Sequence, residues 1–286
     1  MGAQVIIYGP DESVLEAFLE IKPDSVEVAW VNSDDSIDDQ AAQMQDAVAI
    51  IVAGRGRPTT ELAAKCPNLR LVQTTSAGTD YLDKVGLGEL GIKVSNNGGG
   101  NAVAVAEHTL GLMVSTIRKL QLQFNAVTAG EWAGDIRTKW FSQAHEIAGK
   151  TVGIVGLGRI GSRVARRLIG WECEVIYSDI VDIPEEFEKE LNVTRLPLDE
   201  VLQTSDIITM HVPLGSQTRH MISDREFDMM KPTVVFINAC RGPVVDEAAL
   251  IRAMNDGKVA AAGLDVLEQE PTPVDNPLLK MDNVLI

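Results

Sequence analysis

Hydrophobic and polar positions divide the chain into two runs of alternating strand and helix patterns. Up to about residue 98, short apolar stretches at 4–8, 26–31, 47–53, 69–73 and 92–95 have the length and β-branched character of buried strands. Amphipathic segments such as 13–20 and 60–64 lie between them. That order predicts a parallel sheet covered by helices. The alternation resumes at 151–155 and continues with strands at 174–178, 206–211, 233–238 and 259–266, and helices at 198–203 and 246–255. A second doubly wound sheet is expected there.

Between the two runs lies Asn96-Asn97-Gly98-Gly99-Gly100-Asn101, the strongest punctuation in the chain, which reads as a hinge. Val103, Ala106, Leu110, Met113, Ile117, Leu120 and Phe124 then follow three-four spacing, predicting one long amphipathic helix. The helix can pack on the sheet, or form a subunit interface, since Val105, Leu112, Val114 and Leu122 make much of its other face apolar. Residues 126–148, with Trp132, Trp140 and Phe141, show no period and read as an ordered, irregular arm.

The most informative stretch is KTVGIVGLGRIGSRVARRLIGWECEVIYSD, residues 150–179. A short apolar strand leads into Gly156, Gly158 and Gly161 in G-x-G-x-x-G spacing. A helical pattern on Ile160, Val164 and Leu168 follows, and a second strand ends on Asp179. Gly156 permits the tight turn, Gly158 lets the backbone approach a pyrophosphate, and Gly161 allows close packing of helix on strand. The helix N-terminus supplies N–H donors for the anion. Asp179, about 20 residues on, suits an adenosine ribose. Its neighbours Ile180, Val181 and Asp182 offer no arginine for a 2′-phosphate, so NAD is expected rather than NADP.

At 286 residues the chain can hold two domains. A net charge of −16 argues against nucleic acid or an anionic membrane as partner. It also means that an acidic substrate would need a local basic site. The three cysteines, Cys66, Cys173 and Cys240, have no metal spacing, and a reducing compartment without disulfides is expected. The N-terminus shows no signal-peptide pattern and no apolar run approaches membrane-spanning length, so a cytoplasmic protein is expected.

Three further stretches can carry chemistry. Arg241, in Asn238-Ala239-Cys240-Arg241-Gly242, follows an apolar strand and can present a planar fork to a carboxylate, although alone it would be a surface arginine. Asp265 ends a strand and Glu270 lies in the following turn; taken alone they are solvated loop charges. Ser76, Ala77 and Gly78 follow a strand of the first run, where exposed N–H groups could hold a carboxylate or simply form a turn.

Taken together, GIVGLGRIG, HVPL, FINACRGPVVDEAAL and AAGLDVLEQEP, with TTSAGTDYLD upstream and NAVAVAEHTLGLM after the hinge, resemble the D-isomer-specific 2-hydroxyacid dehydrogenases. The resemblance covers nearly the whole chain. It implies a flavodoxin-like substrate domain at 1–98 and a Rossmann NAD-binding domain at 99–286, with dimerisation through the latter. It also implies NAD-dependent hydride transfer at C2 of a small 2-oxoacid or D-2-hydroxyacid. Arg241 falls on the arginine that grips the substrate carboxylate, and Glu270 on the acid that keeps a catalytic histidine protonated. Ser76, Ala77 and Gly78 fall on the substrate-carboxylate loop. Arg159, Ile160, Asp179, Val212, Pro213, Thr218, Ala239, Cys240, Arg241 and Asp265 fall on cofactor contacts, and His211 is expected near the cofactor. The family's catalytic histidine lies in a Thr-Pro-His segment directly after a strand like 283–286, so truncation within that motif is expected, with the histidine just beyond Ile286 and the segment that completes the first domain missing too. His108, His145, His211 and His220 match no such motif. The competing reading is an NAD(H)-sensing corepressor-like protein of the same fold.

Overall fold

The computed structural model describes residues 3–131 and 144–286; Trp132, Trp140 and Phe141 of the expected arm lie outside the described residues. The chain divides into two compact units, Met1–Asn101 and Ala102–Ile286.

In the first unit, strands β1 (Ala3–Gly9), β2 (Val26–Asn32), β3 (Ala47–Val52), β4 (Leu71–Thr74) and β5 (Lys93–Ser95) form a parallel sheet in the order β2-β1-β3-β4-β5. This is the flavodoxin-like order, whose direction reverses between β1 and β3. The helices are α1 (Val14–Ile21), α2 (Ile37–Gln43), α3 (Thr60–Ala64) and α4 (Lys84–Glu89). The apolar pattern along the chain shows two of them, α1 and α3; α2 and α4 are seven and six residues of mostly polar or glycine-containing sequence, held by side-chain caps from Ser36 and Asp83. A single core of Ile6, Tyr8, Ile50, Val72, Leu62, Leu69 and Leu87 holds the unit together. The expected hinge begins as part of this unit: Asn97 N–H donates to the Ser76 carbonyl, and the Asn96 amide donates to that of Ala77.

The second unit contains α5 (Ala102–Ile117), α6 (Leu120–Thr128), β6 (Thr151–Val155), α7 (Gly161–Leu168), β7 (Glu174–Ser178), α8 (Glu185–Leu191) and β8 (Thr194–Arg195). These are followed by α9 (Leu198–Thr204), β9 (Ile207–Met210), α10 (Asp224–Met229), β10 (Val235–Asn238), α11 (Glu247–Asn255), β11 (Ala261–Leu264) and β12 (Val284–Leu285). The parallel sheet runs β12-β11-β10-β9-β6-β7-β8, and its direction reverses between β6 and β9. Alternate strand residues enter different cores because successive side chains point to opposite faces. Val152, Ile154, Ile207, Val235 and Ile237 pack on one face, and Val155, Ile208, Met210, Phe236 and Leu264 on the other.

The expected long helix is two helices. Ala106, Leu110, Met113 and Ile117 lie in the core as the pattern implies, but Lys119 turns left-handed at φ 53°. The break coincides with a remote contact: the Ile117 carbonyl, which a continuous helix would use internally, accepts from His145 N–H at 3.2 Å. Leu120 and Phe124, at the end of the same apolar series, are consequently exposed.

Candidate nucleotide and substrate site

Open parallel sheets bind ligands at the carboxyl ends of their strands, where strand order reverses. In the second unit that point lies between the ends of β6 and β9, and the glycine turn sits there. Gly156 has φ +96°, and a Cβ on it would lie 2.8 Å from the His211 carbonyl at the end of β9. Only glycine takes that conformation without strain while letting the two strand ends close up. A Cβ on Gly161 would lie 2.0 Å from the Gly156 carbonyl, so α7 can approach β6 this closely only through glycine. Gly158 differs, since no atom lies within 4 Å of its Cβ position. The space that glycine keeps at 158 is open. Ile160, at the start of α7, provides no side-chain cap, and the amides of Ser162, Arg163 and Val164 donate to the carbonyls of Gly158 and Ile160.

Asp179 closes the other side. Its Oδ2 accepts from Leu157 N–H, inside the glycine turn, at 2.7 Å, and its Oδ1 accepts from Val181 N–H at 2.9 Å. The carboxylate is thereby held at the rim of the turn. Ile180 and Val181 project into solvent beside it, at 92% and 59% exposure. The open glycine face at the helix start suits a pyrophosphate, the fixed carboxylate a ribose, and the flanking apolar side chains an adenine ring. The residues present fit a dinucleotide.

One arginine was invisible from the chain neighbourhood of Asp179. Strand β8, two residues long and lacking an apolar run, pairs beside β7 with Arg195 opposite Tyr177. Its guanidinium donates to Asp182 Oδ1 at 2.6 Å and to the Asp179 carbonyl at 2.9 Å. The absence of an arginine among residues 180–182 therefore does not mean its absence from the site; sheet pairing brings one in.

The remaining expected cofactor contacts line the same edge. His211 is buried, with Nε2 2.9 Å from the Thr209 hydroxyl and Nδ1 without a partner among the described residues. Burial pushes its pKa down to about 3, so the imidazole is neutral. Val212 packs against Gly156, and the Thr218 hydroxyl ties the 213–218 loop by donating to the Pro213 carbonyl at 2.6 Å. Ala239 and Cys240 are buried at the end of β10, where burial raises the Cys240 thiol to about 11. Arg159 lies in the glycine turn itself, its carbonyl accepting from Arg163 at 2.7 Å.

Arg241 and Glu270 follow adjacent strands, β10 and β11. A Cβ on Gly242 would lie only 1.8 Å from the Leu267 carbonyl, so the loops bearing the two residues pass in backbone contact. The Asn238 amide donates to the Arg241 carbonyl and its Oδ1 accepts from Cys240 N–H, which shapes the turn, and the Arg241 guanidinium donates to the Cys240 carbonyl at 2.7 Å. Glu270 is exposed and accepts from Leu267 N–H at 3.1 Å. Two glutamates lock the loops together: Glu247 N–H donates to Glu268 Oε2, and Glu268 N–H to Glu247 Oε2. His220 completes the lock, 2.6 Å from Glu268 Oε1. Sequence reading gave no role to His108 either; it reaches Asp265 from α5, at 3.1 Å. Both pairings join residues far apart in the chain, so no local pattern reveals them.

In the first unit, Ser76, Ala77 and Gly78 form a loop past β4. Its carbonyls are engaged: Thr74 hydroxyl and Asn97 N–H donate to Ser76, Asn96 to Ala77, and Ser76 hydroxyl to Gly78. All three carbonyls of the loop are thus engaged by neighbouring donors.

Residues 110–286 match the family described as D-isomer specific 2-hydroxyacid dehydrogenase, NAD binding domain. The chain is 38% identical over 229 residues to a glyoxylate reductase of Korarchaeum cryptofilum, spanning 79% of this chain and 68% of that one. It is 40% identical over 227 residues to a glyoxylate/hydroxypyruvate reductase B of an Enterobacter species, covering 79% and 69%. Among solved structures, Aquifex aeolicus D-lactate dehydrogenase complexed with NAD and lactic acid superposes with a TM-score of 0.82 at 31% identity, covering 99% of this chain and 87% of that one. Rhodotorula graminis D-mandelate dehydrogenase, in its apo form, gives a TM-score of 0.87 at 28% identity, covering 100% and 87%. The nucleotide cradle at the strand reversal lies within the matched NAD binding domain, and this chain belongs to the NAD-dependent D-isomer-specific 2-hydroxyacid dehydrogenases.

Proposed function

We propose that the protein interconverts a small 2-oxoacid and the corresponding D-2-hydroxyacid, with Arg241 as the residue that binds and polarises the substrate. The observation that supports this reading is the juxtaposition, at Gly242 and Leu267, of the loops that carry Arg241 and Glu270 after neighbouring strands of the sheet that bears the glycine turn. NAD supplies the hydride acceptor or donor when bound. The protein's own residues supply orientation and charge.

Arg241 offers a fixed, permanently charged fork to a carboxylate and to the oxygen on C2. On a chain of net charge −16, such a local cation is what lets an anionic substrate dock. Ser76, Ala77 and Gly78 are assigned, on the family pattern, to binding the substrate carboxylate. Asp265, Val212, Pro213, Thr218, Ala239 and Cys240 are assigned to the nicotinamide half of the cofactor, and Gly156, Gly158, Arg159, Ile160, Gly161 and Asp179 to the pyrophosphate and ribose. Glu270 is assigned as partner of a proton-carrying histidine that the family pattern sets directly after Asn283–Ile286. A carboxylate beside an imidazole favours the charged form, which is the form needed to protonate the product oxygen. Val103, Leu120, Phe124 and Val127 are exposed on the second unit, which supports self-association through it; sedimentation velocity tests this.

Gly158→Ala and Arg241→Ala together test the reading. With no atom near its Cβ position, alanine at 158 should fold normally yet weaken NADH binding roughly tenfold or more by blocking backbone approach. Arg241→Ala should keep NADH affinity and lose glyoxylate or hydroxypyruvate reduction. Equal loss of binding and turnover in Arg241→Ala would contradict the role given to it. NADH binding without turnover on any 2-oxoacid in the unaltered protein would favour a sensor.

A further inference from the structure

We propose that Asp182 and Arg195 form the element that discriminates NAD from NADP, Arg195 being a 2′-phosphate ligand kept closed by Asp182. The proposal rests on the assignment of Asp179 to the adenosine ribose. Three observations carry it. Arg195 enters from β8, and its Nη2 donates to the backbone carbonyl of Asp179, the residue whose carboxylate holds the glycine turn. Its guanidinium is thus within one hydrogen bond of the backbone that carries the ribose ligand. Its Nη1 is taken by Asp182 Oδ1 at 2.6 Å, in a pair whose acid is 96% exposed.

The Asp179–Val181 stretch turns back on itself through the Val181 N–H bond to Asp179 Oδ1. That turn brings Asp182 round to face Arg195.

The charge balance follows directly. Asp182 neutralises the guanidinium, and the Asp179 carboxylate, held by the Leu157 and Val181 amides, adds a second negative charge on the same short stretch, so the position beside a ribose 2′-oxygen carries net negative charge and repels a phosphate. Glu188 adds to this from α8, although its carboxylate is engaged by the Tyr177 hydroxyl. Guanidinium is charged at every accessible pH and matches phosphate oxygens bidentately, so Arg195 can hold a 2′-phosphate once its partner is removed. An exposed ion pair is weakly held, and a phosphate carrying nearly two charges competes well for the same fork. Asp179 alone therefore does not set the preference; the charge on Asp182 also contributes, by occupying a cation that could reverse it.

Dissociation constants for NADH and NADPH, read from nicotinamide fluorescence, test this in the unaltered chain, Asp182→Ala, Asp182→Ala/Arg195→Leu and Asp179→Ala/Asp182→Ala. The ratio Kd(NADPH)/Kd(NADH) should fall roughly tenfold in Asp182→Ala, the order expected for removing one like charge near the surface, and further in Asp179→Ala/Asp182→Ala. It should return to the original value or above in Asp182→Ala/Arg195→Leu. High salt should shrink the differences. An unchanged ratio in Asp182→Ala, or a gain that survives Arg195→Leu, overturns the proposal. Failure of the unaltered chain to bind NADH would instead overturn the cofactor assignment on which it rests.

Discussion

Replacing His211 with asparagine should make the protein less sensitive to mild acid. The imidazole sits at the end of β9, fully enclosed, with Nε2 against the Thr209 hydroxyl and no partner for Nδ1 among the described residues. Burial alone pulls its pKa from 6.5 to about 3. A histidine depressed in this way contributes stability that is fully present above its unfolded pKa. That contribution is lost as pH falls from 6.5 toward 3, because the unfolded chain takes up a proton that the folded chain refuses. Integrating the two titrations between pH 7 and pH 5 gives a loss of about 2 kcal/mol for the native residue and none for asparagine. Urea unfolding of both proteins at the two pH values isolates the effect, since every other group cancels in the difference. The gap between them should narrow by about 2 kcal/mol, or reverse, on going to pH 5. A gap that stays constant would show that His211 titrates normally and is not sealed from solvent.

Two other perturbations address the site itself. In Gly242→Ala the new Cβ would lie 1.8 Å from the Leu267 carbonyl, so one loop must retreat by about 1.5 Å to reach ordinary contact distance. The expected cost is roughly 3 kcal/mol or more, read as a lower melting temperature, with turnover falling further than NADH affinity because the Arg241 and Glu270 loops separate. Undiminished activity would break the link between that contact and catalysis. In Asp179→Ala, the acceptor for Leu157 N–H and the ribose ligand disappear together, so NADH binding should weaken more than NADPH binding in fluorescence titrations. Unchanged cofactor preference would remove Asp179 from the site.

The glycine turn, the two runs of strands and the order of the motifs are all readable along the chain, because each depends on residues within a few positions of one another. Thr151–Val155 and Glu174–Ser178 fall where the apolar runs lie, since fully buried parallel strands leave an uninterrupted hydrophobic signature. Where an element's cause is remote, the pattern misleads. Three-four spacing continues through Leu120 to Phe124, yet the helix stops, because the amide of His145 takes the Ile117 carbonyl.

Sequence alone determined the fold class, the family and the position of the nucleotide cradle: backbone conformation at glycine and strand burial are local properties of the chain. Tertiary structure decided which charges meet. Arg195 on Asp182, His108 on Asp265 and His220 on Glu268 are pairings across strands and loops, and no spacing rule connects them. Coulombic partners are chosen by distance in space, which the sheet sets only once its strand order is complete.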